Sequence, residues 1–191
     1  EEAISSQEKL NVVLDIDHVL AYAIQPDQLP TVKESAFFLR NGAILTAELA
    51  HCVFPGVLAF MKLLFQTPRV KVFFFSAGIK ERNFAFVHEL LKLALPEAIY
   101  EKRKNQVRIL SRGHLSASTE IEKQQHLAIY SLEAKGKQKD LSQLLEAGES
   151  LDNTILMDDD VSCVACNQAK NMLHVPKTTH KEFQRLAQKC D

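Results

Sequence analysis

The segment Leu10–Ile16, LNVVLDI, constrains this chain more than any other. Leucine and β-branched residues run together with little polar alternation, the mark of a strand buried on both faces, as in a parallel sheet covered by other elements. The run breaks onto Asp15-Ile16-Asp17. Along extended backbone, residues two apart point the same way, so both carboxylates leave the strand together. Two acids that close repel, unless a cation or a shared proton resolves the conflict.

Further strands and helices alternate along the chain. Val70–Phe75 (VKVFFF) predicts a second buried strand, ending at Ser76-Ala77-Gly78, and Thr154–Met157 (TILM) a last one, followed by Asp158-Asp159-Asp160. Pro55 suits a first helical turn, and Val57, Phe60, Met61, Leu64 and Phe65 form an apolar stripe at helical spacing. A helix is expected over about residues 79–95, with Phe84, Val87, His88, Leu91 and Leu95 on one side and Pro96 as its stop. Val107–Leu110 predicts a short strand. Leu141, Leu144 and Leu145 predict a helix closed by Gly148, and Phe183, Leu186, Ala187 and Cys190 an amphipathic helix. Phe37–Leu39 and Ala43–Leu45 flank Asn41-Gly42, a strong hairpin signal. Residues 112–136 are polar and irregular, with a short helix expected within Ile121–Leu132. The alternation gives an α/β chain with a parallel sheet and helices on both faces. We read it as a single domain, residues 1–191.

Bulk properties exclude rather than identify. With 23 Lys+Arg against 24 Asp+Glu, the net charge is −1, so no basic field favours nucleic acid. Apolar stretches such as Val57–Phe65 are too short to span a bilayer and contain Lys62, so no membrane partner is expected. The polar stretch Glu1–Lys9 does not read as a secretory signal, which makes cytoplasm the expected location. Cysteines at 52, 163, 166 and 190 are too few for a disulfide scaffold, and the pair Cys163/Cys166 lacks partners for a zinc site. A cysteine phosphatase needs an arginine six residues after its nucleophile. Leu58, Ala169 and Met172 stand there instead, so that chemistry is closed.

In parallel sheets ligands sit beyond the carboxyl ends of the strands. Those ends carry Asp15 and Asp17, Ser76, and Asp158–Asp160. Taken singly, each has an ordinary explanation. Asp158–Asp160 could cap a following helix, and Lys139, flanked by Lys135 and Lys137, reads as a solvated loop lysine. Their conjunction favours a site of hard oxygen ligands suited to Mg²⁺.

The run VVLDIDHVL at Val12–Leu20 resembles the DxDx(T/V) signature of the haloacid-dehalogenase-like (HAD) superfamily. The remaining blocks resemble its FCP/SCP branch, phosphatases of the RNA polymerase II C-terminal domain. They are FFLRNGAILTAEL, VKVFFFSAG, Ile109–Gly113 (ILSRG), Lys139–Ser142 (KDLS), Ile155–Asp159 (ILMDD) and His174-Val175-Pro176. The resemblance runs from about residue 10 to 176. It implies a HAD-like Rossmannoid three-layer sandwich with a central parallel sheet, a β-hairpin insertion after the first strand (a flap over 37–49) and a small insertion around 112–136. It also implies a Mg²⁺-dependent phosphoprotein phosphatase. Asp15 would attack phosphorus and Asp17 would act as acid, then base. Ser76 and the Ala77 N–H would bind phosphoryl oxygens, with Lys139 neutralising charge beside them. Asp15, the carbonyl of Asp17, Asp158 and Asp159 would hold the metal, Asp159 directly or through water.

Two departures stand out: His18-Val19 where the branch usually has Glu-Thr, and a longer segment between Gly113 and Lys139. The polymerase-tail substrate therefore does not transfer, and phosphotyrosine, phosphoserine/threonine and small metabolites all stay open. A catalytically inactive HAD-like binding domain is a further alternative, although every catalytic position is filled. A phospho-receiver is rejected because its lysine follows the final acids, and a dehalogenase because it lacks the second acid. Bacterial members of the family include proteins delivered into host cells, which gives signal-independent secretion as the alternative location.

Overall fold

The protein is seen in a computed structural model that describes residues 9–25, 43–46, 49–121, 123–124, 127, 136–146, 149–179, 181–183 and 185. Five strands form a parallel sheet in the order β10-β9-β1-β5-β6. They are β1 (Leu10–Leu14), β5 (Val70–Phe75), β6 (Arg108–Leu110), β9 (Thr154–Asp158) and β10 (Met172–His174). The apolar run at residue 10 is thus the central strand, flanked by β5 and β9. Its register sets Leu14 level with Phe74 on one side and Met157 on the other. The chain crosses from one half of the sheet to the other at β1. That makes its carboxyl end the place where a ligand crevice opens.

The pleat divides the core. Val12, Leu14 and Phe74 face helices α1 (Val57–Gln66), α2 (Lys80–Ala94) and α3 (Glu97–Arg103), while Val13, Phe73 and Phe75 face the opposite layer. Helices on both faces were expected. Among the described residues the second layer is instead built from single 3₁₀ turns, whose Leu141, Leu144 and Val164 pack on Val13 and Phe75. The helix anticipated around Leu141 is one such turn, Leu141–Leu144, with the Asp140 side chain accepting from the Ser142 N–H. Gly148 lies outside the described residues.

Helix α1 presents Val57, Met61 and Leu64 inward. Pro55 precedes it, and the chain enters through Gly56 at φ 84°, a left-handed conformation that costs glycine little. The α2 boundaries agree with expectation, but its buried face does not. Arg82, Asn83, Phe86, Val87, Leu90 and Leu91 are buried, while Phe84 is 54% exposed. The expected stripe placed Val87, Leu91 and Leu95 correctly but took in the exposed Phe84 and left out Arg82 and Asn83. The real one includes two polar residues that find hydrogen-bond partners in the interior. Helix α3 and strand β10 were not anticipated. Pro96 both ends α2 and starts α3.

Strands β2 (Ala21–Ile24), β3 (Ala43–Leu45) and β4 (Ala50–Val53) form an antiparallel sheet in the order β2-β4-β3. The described partner of β3 is β4. The first arm and turn of the expected hairpin, Phe37–Leu39 and Asn41-Gly42, lie outside the described residues. The described parts of the 112–136 segment include a 3₁₀ turn at Arg112–His114, β7 (Ser116–Ala117), which pairs with β8 (Lys137–Gln138), and helical backbone at Ile121, Lys123, Gln124 and Leu127, within the helix expected there. Most of the helix expected there, and Leu186, Ala187 and Cys190 of the last helix, lie outside the described residues. Among the described residues no helix is long and apolar enough to cross a membrane.

The revised face of α2 has a direct test. Phe86→Ala removes a fully buried ring and should cost about 3–5 kcal/mol in denaturant unfolding. Phe84→Ala should stay within about 0.5 kcal/mol of the parent.

Candidate active site

Asp15 follows β1 directly and so stands at the middle of the sheet's carboxyl edge. Because β1 lies between β5 and β9, Ser76 arrives on one side of it and Asp158 on the other. All three are buried. Lys139 joins them from the opposite layer. Its backbone is pinned by a bridge to Val164, the Lys139 N–H donating to the Cys163 carbonyl and the Ala165 N–H to the Lys139 carbonyl. Its ammonium donates to Asp15 Oδ1 at 2.8 Å and to Asp158 Oδ2 at 2.5 Å. With 2% exposure, Lys139 is no solvated loop lysine. Burial works against its charge, but Asp15 and Asp158 hold its pKa above the usual range.

Asp15, Asp158 and Asp159 offer carboxylate oxygens that lie within 4.8 Å of one another. Lys139 lies between Asp15 and Asp158, and the exposed Lys177 reaches Asp159 Oδ2 only at 3.9 Å, so the carboxylates still outnumber the ammonium groups. Burial, then the neighbouring Asp158 and Asp17, push the Asp15 carboxyl up to about 7 against the pull of Lys139. Burial and Asp158 raise Asp159 as well. An excess of hard, partly desolvated oxygen donors is the environment that a divalent cation relieves, so these residues fit a metal ion. Asp160 is different: its carboxylate accepts from the Ser162 N–H and caps the turn Val161–Cys163. The capping explanation therefore holds for Asp160, while Asp158 and Asp159 face the cluster.

Asp17 sits apart from that cluster. A tight turn, with the Leu20 and Ala21 N–H groups donating to the Ile16 carbonyl, carries His18 at φ 65° and sets Asp17 toward α2. There Arg82 donates from Nη1 to Asp17 Oδ1 and from Nη2 to Oδ2, both at 2.7 Å. Ser76 Oγ donates to the same Oδ2 at 3.3 Å. Burial opposes ionisation of Asp17, yet the hydrogen bonds and charge of Arg82 hold its carboxyl below the usual range. The Gly78 N–H donates to Ser76 Oγ, and the Ala77 carbonyl accepts from Arg112. The sequence positions Asp15, Asp17, Ser76, Ala77, Lys139, Asp158 and Asp159 therefore come together at one edge. Arg82 was missed. Its only sequence signal is a charged residue on the buried stripe of α2, two positions before Phe84.

No protein-family model matches the chain, and no curated protein matches it. Solved structures do. Fcp1, described as an essential RNA polymerase II CTD phosphatase, matches at TM-score 0.50 and 16% identity, over 90% of this chain and 42% of that one. Fission yeast Fcp1 bound to beryllium fluoride gives TM-score 0.49 and 14% identity, over 95% of this chain and 49% of that one. The HAD domain of the effector protein Lem4 from Legionella pneumophila, an inactive mutant, gives 0.43 and 12%, over 97% of this chain and 96% of that one. The chain spans less than half the length of the two Fcp1 chains. The fold is HAD-like, with its likeness to Fcp1, as the motif order implied.

His51 on β4 lies behind Asp17, fully buried against the Phe86 ring. Its Nε2 is 3.4 Å from Thr46 Oγ1, and its Nδ1 makes no hydrogen bond among the described residues. Burial, then the charge of Arg82, depress its pKa to about 4 from 6.5. The folded state therefore excludes a proton that the unfolded chain takes up below pH 6.5. The His51 contribution to stability is full above that pH and is lost between about 6.5 and 4, by on the order of 3 kcal/mol, while Asp15, raised to about 7, acts in the opposite sense. His51→Leu should flatten this arm of a pH series of denaturant unfolding.

Proposed function

We propose that the chain is a Mg²⁺-dependent phosphoric monoester hydrolase that works through an aspartyl-phosphate on Asp15, with phosphorylated protein side chains as substrates. The observation that carries the reading is the pairing of a central, buried Asp15 with Lys139 and a second acid pair. A carboxylate can approach an anionic phosphate only where local positive charge offsets their repulsion. Asp15, the carbonyl of Asp17, Asp158 and Asp159 would hold Mg²⁺, which when bound supplies charge that neutralises the phosphoryl oxygens.

The protein groups divide the work. The Asp15 carboxylate oxygen attacks phosphorus, and the bond from phosphorus to the substrate oxygen breaks. Asp17, which the negative charge of the bound phosphoryl group lets take up a proton despite Arg82, gives that proton to the departing oxygen. In the second half, Asp17 takes a proton from water as the water oxygen attacks the same phosphorus. The bond to Asp15 then breaks, and inorganic phosphate and the free carboxylate are restored. Lys139 orients Asp15 and favours its ionised form before attack and after the intermediate is hydrolysed. The Ser76 hydroxyl and the Ala77 N–H are assigned to the phosphoryl oxygens.

Exposure supports the choice of substrate. The Asp15 side chain is 8% exposed but that of Asp17 is 32%, so the leaving-group side of the site opens outward. A phosphorylated side chain projecting from a protein can reach such a site. The CTD phosphatase activity described for Fcp1 agrees with a protein substrate without naming one for this chain.

Asp15→Asn should lower turnover at least about 1,000-fold while leaving the far-UV spectrum unchanged. Retained Mg²⁺-dependent activity would refute the nucleophile. A panel of phosphotyrosine, phosphoserine and phosphothreonine peptides against sugar and nucleotide phosphates, with EDTA controls, tests the substrate class. Preference for the metabolites would overturn it. Millimolar Mg²⁺ should also raise the thermal midpoint of the parent, an increase that Asp158→Asn should reduce.

A further inference from the structure

Arg82 makes more contacts with the site than any role assigned so far requires. It is buried, and its guanidinium donates to four acceptor atoms on three residues. Besides the two-point contact with Asp17, Nη2 donates to Ser76 Oγ at 3.1 Å. Nε and Nη2 both donate to Asn83 Oδ1, at 3.1 and 2.8 Å. Asn83 is itself fully buried, and its amide points at the carbonyls of Ser76, Gly78 and Leu110. The guanidinium is thus gripped from behind by a residue tied to the loop after β5, and it grips Asp17 in front.

The loop is shaped around this cation. A Cβ built on Gly78 would lie 1.8 Å from Arg82 Nη2 and 2.4 Å from its Cζ. Only a residue without a side chain leaves the guanidinium its place. A planar fork that meets both carboxylate oxygens fixes the orientation of the carboxylate as well as its position, which a lysine cannot do.

We propose that Arg82 is a positioning residue. It sets the Asp17 carboxylate and the Ser76 hydroxyl relative to one another, so that Asp17 meets the departing oxygen of a phosphoryl group held at Ser76. The inference rests on the acid/base role proposed for Asp17. Arg82 acts through Asp17 and needs no contact with substrate. Its loss therefore falls on the two proton transfers, to the leaving group in the first step and from water in the second, and little on binding; only the first depends on the leaving group.

The test uses the full chain with Mg²⁺ and a series of aryl phosphates running from phenyl phosphate, a poor leaving group, to dinitrophenyl phosphate, which leaves without a proton. The readout is first-turnover release of the aryl alcohol, which precedes the hydrolysis step common to all substrates. Arg82→Lys should slow that release from phenyl phosphate about 100-fold, with little change on dinitrophenyl phosphate and little change in substrate affinity. Gly78→Ala keeps the arginine but displaces the free end of its side chain, and should give the same dependence on leaving group. It also decides the matter if Arg82→Lys does not fold. An equal fall across the series, or an effect confined to substrate affinity, would overturn the positioning role. Asp17→Asn separates the two levels of the argument. A steep series in Asp17→Asn with flat ones in Arg82→Lys and Gly78→Ala sinks the role of Arg82 alone. A flat series in Asp17→Asn sinks the acid assignment and the positioning role with it.

Discussion

The buried ammonium of Lys139 holds the carboxyl edge of the sheet together. Asp15 and Asp158 end adjacent strands, and without a cation between them their charges would oppose the pairing of β1 with β9 just below. Removing one partner of a buried ion pair costs several kcal/mol, chiefly because the other charge is left desolvated. The sheet, the bridge segment that carries Lys139, and the C-terminal segment depend on one another here. That segment is attached through the Val175 N–H, which donates to the Asp158 carbonyl. Structural and chemical demands converge on the same atoms.

A second charge centre lies a few residues away and is built differently. Arg82 and Asp17 pair one to one, by two parallel hydrogen bonds, on the half-open side of the edge. Lys139 divides one charge between two carboxylates, whereas Arg82 saturates one. In the proposed reaction this separates the acid that must bond to phosphorus from the acid that must exchange a proton. Two aspartates two residues apart thus acquire opposite shifts in acidity from their surroundings, upward for Asp15 and downward for Asp17.

Much of this was legible in the residue order. The apolar runs at 10, 70 and 154 mark three central strands because a strand buried on both faces has almost no other composition. The acids and the serine that follow them mark the site because polar groups at buried strand ends need a purpose. What stayed hidden depended on contacts distant in sequence. Lys139 looks like its lysine neighbours until Val164 and Cys163 pin its backbone. Arg82 looks like a solvent-facing residue on a charged helix turn until Asp17, 65 positions earlier, meets it. The face of α2 was misjudged for the same reason, since apolar periodicity cannot register a buried polar residue whose partners lie elsewhere. The second layer failed differently. Leu141 and Leu144 carry a helical spacing, but a single capped turn satisfies them just as well.

The central place of β1 also bears on how the chain comes into being. Asp15 is synthesised ahead of its counter-ion, which comes 124 residues later, and ahead of its neighbouring strand β9, later still. Until then the emerging polypeptide carries an acidic strand end with nothing to offset it and an apolar strand with one flank open. Contacts of such long sequence separation form slowly and close together in time. A chain stopped short of residue 139 therefore holds the aspartate proposed as nucleophile without the surroundings that the proposed reaction needs.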